Sequence, residues 1–170
     1  MLRVSFVALL FAGSALAQNQ SPVVAAACGP NSVAFAVKLD ESRQTLAEPE
    51  PGKALIYFIQ ETGAGNCLGP CVTRIGLDGV WVGAFKRNSY FSVSVDPGEH
   101  HSCVNVQSGT ALGKVVAFAH VSAEAGKVYY LGTQAFVRSS SMRLEMHPID
   151  SAQAKHLIIS LPLSVSEPKR

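Results

Sequence analysis

Five histidines and four cysteines are the side chains of this sequence best able to do chemistry. A metal centre needs imidazoles on one side of an element, and a strand provides that at i, i+2. Among His100, His101, His120, His147 and His156, only His100 and His101 are close in sequence. Adjacent strand residues point to opposite faces, and no His-x-His or His-Glu-x-x-His spacing occurs, so no metal or other cofactor is expected. His101 and Cys103 do share the i, i+2 relation, and a thiolate beside an imidazole can act as a nucleophile. His120 lies in the apolar run Val116-Ala117-Phe118-Ala119-His120-Val121. There it reads as a hydrogen-bonded core histidine.

The cysteines are Cys28, Cys67, Cys71 and Cys103. An even number downstream of an export leader reads as disulfides, with three pairings open. Zinc sites prefer two short cysteine pairs, whereas Cys28 and Cys103 each stand alone. A bridged Cys103 has no thiolate, and no Gly-x-Ser-x-Gly elbow supplies another nucleophile. The acids fare no better: Asp40, Glu41, Glu48 and Glu50 fall in a polar connection, and Asp78 belongs to a turn. The Gly63-Ala64-Gly65 segment lacks the third glycine of a phosphate cradle. A non-enzymatic protein is therefore expected. The alternatives are a small secreted hydrolase, using His101 with Cys103 or a loop carboxylate, and a metal-binding periplasmic protein.

Arg3 precedes the apolar run Val4 to Gly13, and Ser14-Ala15-Leu16-Ala17 supplies a small-x-small step. Residues 1–17 thus read as a signal peptide cleaved before Gln18. The segment Val24-Ala25-Ala26-Ala27-Cys28-Gly29 looks like a lipid-attachment box, but polar Gln18 to Pro22 separates it from the apolar run, making lipidation through Cys28 the minor alternative. No segment approaches the roughly 20 apolar residues that a span requires, so no transmembrane span is expected. The destination is periplasmic or extracellular. With 48% hydrophobic and 15% charged residues the chain can fill one core, and a formal charge of +2 with no basic run argues against nucleic acid.

The elements that must position these side chains are extended. After an N-terminal segment, 18–31, short apolar runs separated by Gly, Pro and Asp fill 32–162 with a period near 2. The expected fold is mainly β: a single antiparallel β-sandwich of about eight strands with one helix near the C-terminus, then a frayed tail at 163–170. Ala54 to Ile59 is apolar on both faces and suits a central strand. Asp78-Gly79 makes a tight hairpin turn, pairing Leu77 with Val80 and Ile75 with Val82 on the core face. Trp81 then lies opposite Gly76, either shielding bare backbone or offering an aromatic platform. Asp96-Pro97-Gly98-Glu99 turns a second hairpin, whose return strand puts His101, Cys103 and Asn105 on one face. Asp150 caps the helix, which runs to about Ile159. Trp81, Tyr90 and His101 are the candidate binding residues.

Five blocks in order, Pro51 to Phe58, Gly76 to Gly83, Asn88 to Phe91, Asp96 to His101 and Ala125 to Tyr130, resemble the bacterial family catalogued as domain of unknown function 2846. The likeness runs from about Gly52 to Leu131. It implies an exported β-sandwich and supplies no catalytic residue. The partner it leaves open is a protein, glycan or lipid of the bacterial envelope.

Overall fold

The computed structural model describes residues 22–42, 46–60, 72–86, 88–108, 111–138 and 141–169. Along the chain stand α1 (Pro22–Ala27), β1 (Phe35–Asp40), β2 (Ala54–Gln60), β3 (Thr73–Leu77), β4 (Val80–Phe85), β5 (Tyr90–Val95) and β6 (Gly98–Val106). They are followed by β7 (Val116–Ala123), β8 (Val128–Arg138), β9 (Ser141–Pro148), α2 (Ser151–Ser160) and β10 (Leu163–Pro168). The strands form a β-sandwich of two sheets, ordered β1-β10-β5-β2-β8-β9 and β4-β3-β6-β7. Pairing is antiparallel except at β2–β8 and at the single Leu163–Tyr90 pair of β10–β5.

β2 lies inside the six-stranded sheet, which is why its sequence does not alternate. Ile56 and Phe58 point between the sheets, where they join Ile75, Phe85, Phe91 and Val104 in the main core. Phe91 packs with Phe58 and Phe85 at centroid separations of 5.4 and 5.1 Å. Leu55, Tyr57 and Ile59 point the other way, into a second cluster closed by Ala154 and Ile158 of α2. The α2 start follows its capping signal: Asp150 Oδ1 accepts from the Ala152 and Gln153 N–H groups at 2.9 and 3.3 Å.

Two expectations need correction. Residues 163–168 are not a frayed tail: β10 pairs with β1 over six positions, and its Ser164 is buried against Ser89, with 2.8 Å between hydroxyls. Main-chain pairing, not an apolar stripe, holds this strand, so its polar sequence concealed it. The Asp78-Gly79 turn forms as expected, with φ values of 50° and 81°. A bulge follows, however, and sets Ile75 opposite Gly83 instead of Val82. Val80 is 60% exposed and stays outside the core.

Candidate functional site

The outer face of the four-stranded sheet carries Arg74, Gly76, Trp81, Cys103 and Asn105, and the chain's own N-terminal segment lies across it. Cys28 is bonded to Cys103, with 5.6 Å between the Cα atoms. Gly76 permits this approach: a Cβ there would stand 2.6 Å from the Ala27 carbonyl oxygen and 2.9 Å from Cys103 Sγ. The Trp81 indole N–H donates to the Pro30 carbonyl at 2.7 Å. Trp81 therefore packs against the cluster of Ala27, Cys28 and Cys103 as part of the structure. The platform reading of Trp81 is corrected, because the N-terminal segment occupies that face.

Beneath the indole lies a residue that no motif or spacing singled out. Arg74 is 4% exposed, with its guanidinium carbon 4.2 Å from the Trp81 ring centroid. It donates to the Val33 carbonyl at 2.5 Å and to Asn105 Oδ1. Burial pulls its pKa below the usual guanidinium value. It ties β3 to β4, to β6 and to the segment that leads into β1.

The disulfide settles two chemical questions. Cys103 holds no thiolate for His101 to activate, and Cys28 has no free thiol for a lipid thioether. Lipid attachment through Cys28 is thereby overturned. Cys67 and Cys71 lie outside the described residues.

Tyr90 is 2% exposed, so it offers no surface to a ligand. Its ring belongs to the second cluster, 6.1 Å from Tyr57, which stacks on Tyr130 at 5.6 Å. The Ala47 N–H donates to the Tyr57 hydroxyl at 2.6 Å, so the polar connection after β1 covers this face.

His101 is exposed, its ring 5.0 Å from that of His120. His120 is no core histidine: its side chain is 52% exposed and its Nε2 pairs with Glu99. The alternation of β7 is shifted by one from the reading that buries it, and Val121 takes the inward position. Glu99 also accepts from the Ser122 hydroxyl at 2.6 Å, which together with the His120 ring holds its carboxyl below the usual range.

His100 faces the other way and joins two turns. Its Nδ1 lies 2.6 Å from Asp78 Oδ2, and its Nε2 lies 2.8 Å from the Asp96 carbonyl oxygen. A carboxylate and a carbonyl both only accept, so satisfying both requires a proton on each ring nitrogen: the cation. Burial disfavours that cation, but its bonds to Asp78 and Asp96 prevail and raise the His100 pKa. Burial likewise opposes ionisation of Asp78, yet its bonds from His100 and the His101 N–H lower its pKa. Among the described residues, no group of three His, Cys, Asp or Glu side chains could hold a metal ion.

A cleft of about 360 Å³ is lined by His120, Ser122, Val128, Tyr129 and Tyr130 with Ile149. It opens where the β8–β9 ladder ends at Leu131 and Pro148, so Val128 and Tyr129 have a strand partner on β2 alone. Its far wall is β7, an edge of the smaller sheet. The Asp78 N–H donates to the His101 carbonyl at 2.9 Å, so the main-chain groups of His101 face β3. Alternation then turns those of His100, Ser102 and Val104 toward Val121, Ala119 and Ala117 of β7. It follows that the N–H and C=O groups of Val116, Phe118, His120 and Ser122 point to the open edge.

No protein-family model, no curated protein and no solved structure matches this chain.

Proposed function

We propose that this chain is an exported, non-enzymatic β-sandwich module that binds an envelope ligand at the cleft beside β7. The carrying observation is that cleft, with apolar Val128 and Ile149 next to His120 and Ser122 at an open sheet edge. Among cleft-forming architectures, an apolar floor with a few convergent polar groups is the usual form of a binding site. A binding role rather than catalysis is supported by the chemistry of the neighbours. Cys103 is bridged, and both ring nitrogens of His100 are engaged by Asp78 and Asp96. Export is supported by the leader-like residues 1–17 and by the disulfide, which suits an oxidising compartment. The resemblance to the bacterial family agrees with this reading.

A photo-crosslinking amino acid at Ser122, compared with one at exposed Val165 of β10, tests the proposal in envelope preparations. A discrete adduct from position 122 that position 165 does not give is expected. The same adducts from both positions, or hydrolase activity that disappears in His101→Ala, would overturn it.

A further inference from the structure

We infer that the ligand is an extended polypeptide segment of a partner protein, which adds to β7 as a fifth strand of the smaller sheet. This rests on the cleft reading above and names the occupant. The outermost strands of the two sheets differ in how they are protected. β1 carries Lys38 and Asp40, and β9 carries Arg143 and Glu145, charges of the kind that discourage strand addition. β4 is covered, since its Ala84 N–H donates to the Ser166 hydroxyl of β10 at 3.1 Å. β7 has eight residues, Val116–Ala123, without a Lys, Arg, Asp, Glu or Pro. β9 of the other sheet packs beside β7, as β10 does beside β4, but β7 itself carries no charge or proline to discourage an added strand.

Val116, Phe118, His120 and Ser122 present main-chain donors and acceptors at every second residue, a repeat of about 7 Å along the strand. An extended peptide backbone reproduces that repeat and that alternation of donor with acceptor. Sugar hydroxyls do not keep this spacing, and a lipid chain has no polar groups to meet it.

The flanks specify the side chains. On the outer face Phe118 is 39% exposed, next to His120 with its Glu99 partner, so an incoming apolar residue would cover the ring. On the other face the cleft, bounded by Val128 and Ile149, takes one apolar side chain of the added strand. The predicted ligand is thus a short segment of alternating pattern, apolar at the position entering the cleft, with a polar residue beside His120.

Selection of a phage-displayed random dodecapeptide library on the oxidised protein supplies the probe, and one enriched peptide is synthesised. Addition of that peptide is expected to slow amide hydrogen exchange at Val116, Phe118, His120 and Ser122 at least tenfold. Neighbours Ala117, Ala119 and Val121, already bonded to β6, should change less than threefold. N-methylation of the peptide should weaken binding tenfold or more at alternate positions only. Phe118→Pro removes one outward N–H without touching the β6 ladder and should weaken binding at least tenfold, while Phe118→Ala loses only the ring and should lose less. If the proline variant does not fold, exchange and N-methylation on the unaltered chain decide.

Peptides that bind at Tyr129 and Ile149 without the period of two would overturn strand addition and leave the cleft reading standing. Failure to enrich any peptide overturns strand addition too, while the Ser122 crosslink tests the cleft independently. Concentration-dependent protection of the same four amides without peptide would make the occupant a second copy of this chain and overturn a foreign partner.

Discussion

His100 should make the stability of this protein fall as pH rises from mild acid, and Gln at that position should remove the fall. The imidazolium links the β3–β4 turn, through Asp78, to the β5–β6 turn, through the Asp96 carbonyl. Around it stand Asp78 and Asp96, Lys53 paired with the Asp96 carboxylate, and His101, whose N–H bonds Asp78; Glu99 precedes it on β6. The His100 pKa is raised above its ordinary 6.5, so its contribution is complete below that value and disappears as pH climbs through the raised one. Asp78 is depressed below its ordinary 3.8, so its contribution is present above that value and disappears as pH falls through the depressed one. Both act together between about pH 4 and 6.5.

A hydrogen bond to a charged group contributes about 1.5 to 3 kcal/mol and a neutral one about 1. The Asp78 side chain is 43% exposed, which places the charged bond at the low end of that range. His100→Gln, whose amide cannot donate in two opposed directions, should therefore cost about 1.5 kcal/mol at pH 5.5 and about 1 at pH 8.5. For a chain of this size the difference is a melting-temperature change of roughly 1 to 2 °C between the two pH values. Thermal melts of both proteins across that range, compared pairwise, cancel the other histidines. Parallel profiles, or a wild type that gains stability on the variant as pH rises, would refute the assignment of a cation to His100.

Replacing Cys28 and Cys103 together by Ser should cost about 4 kcal/mol, since the bridge spans 75 residues; urea unfolding measures it. The same variant should red-shift emission from the single tryptophan, because Trp81 loses the segment packed on it. Gly76→Val should destabilise by about 1 to 3 kcal/mol, because its side chain would press on Ala27, Cys28 and Cys103; an unchanged urea midpoint would contradict that packing. Gly79→Val should cost about 1 kcal/mol or more, since a β-branched residue resists φ of 81°; thermal melts showing no loss would mean the turn is misassigned. Asp150→Ala should cost about 1 kcal/mol through its two N-terminal hydrogen bonds, read as a lower melting temperature.

Local patterning made most of the sandwich legible. Alternation in Phe91, Val93 and Val95 fixed which face of β5 enters the core, Asp78-Gly79 marked a turn, and Asp150 marked the start of α2, because each signal acts within a few residues. The same locality explains the misreadings. β10 is polar and is held by a ladder to β1, more than 120 residues away in sequence, so no pattern of its own announces it. Tyr90 looked available because alternation places it opposite the core, yet α2 and the segment around Ala47 cover that face as well.

The amino-acid sequence alone determined that the chain builds strands with one late helix, which face of β6 carries His101 and Cys103, and which residues turn the chain. These are consequences of side-chain periodicity and backbone sterics, and they need no distant partner. Only the tertiary structure decided that Cys28 reaches Cys103, that Trp81 and Arg74 lie beneath the N-terminal segment, that His100 bridges Asp78 and the Asp96 carbonyl, and that β7 is left at an edge. Each of those depends on which elements meet in space, and long-range meetings are set by the packing of the whole core.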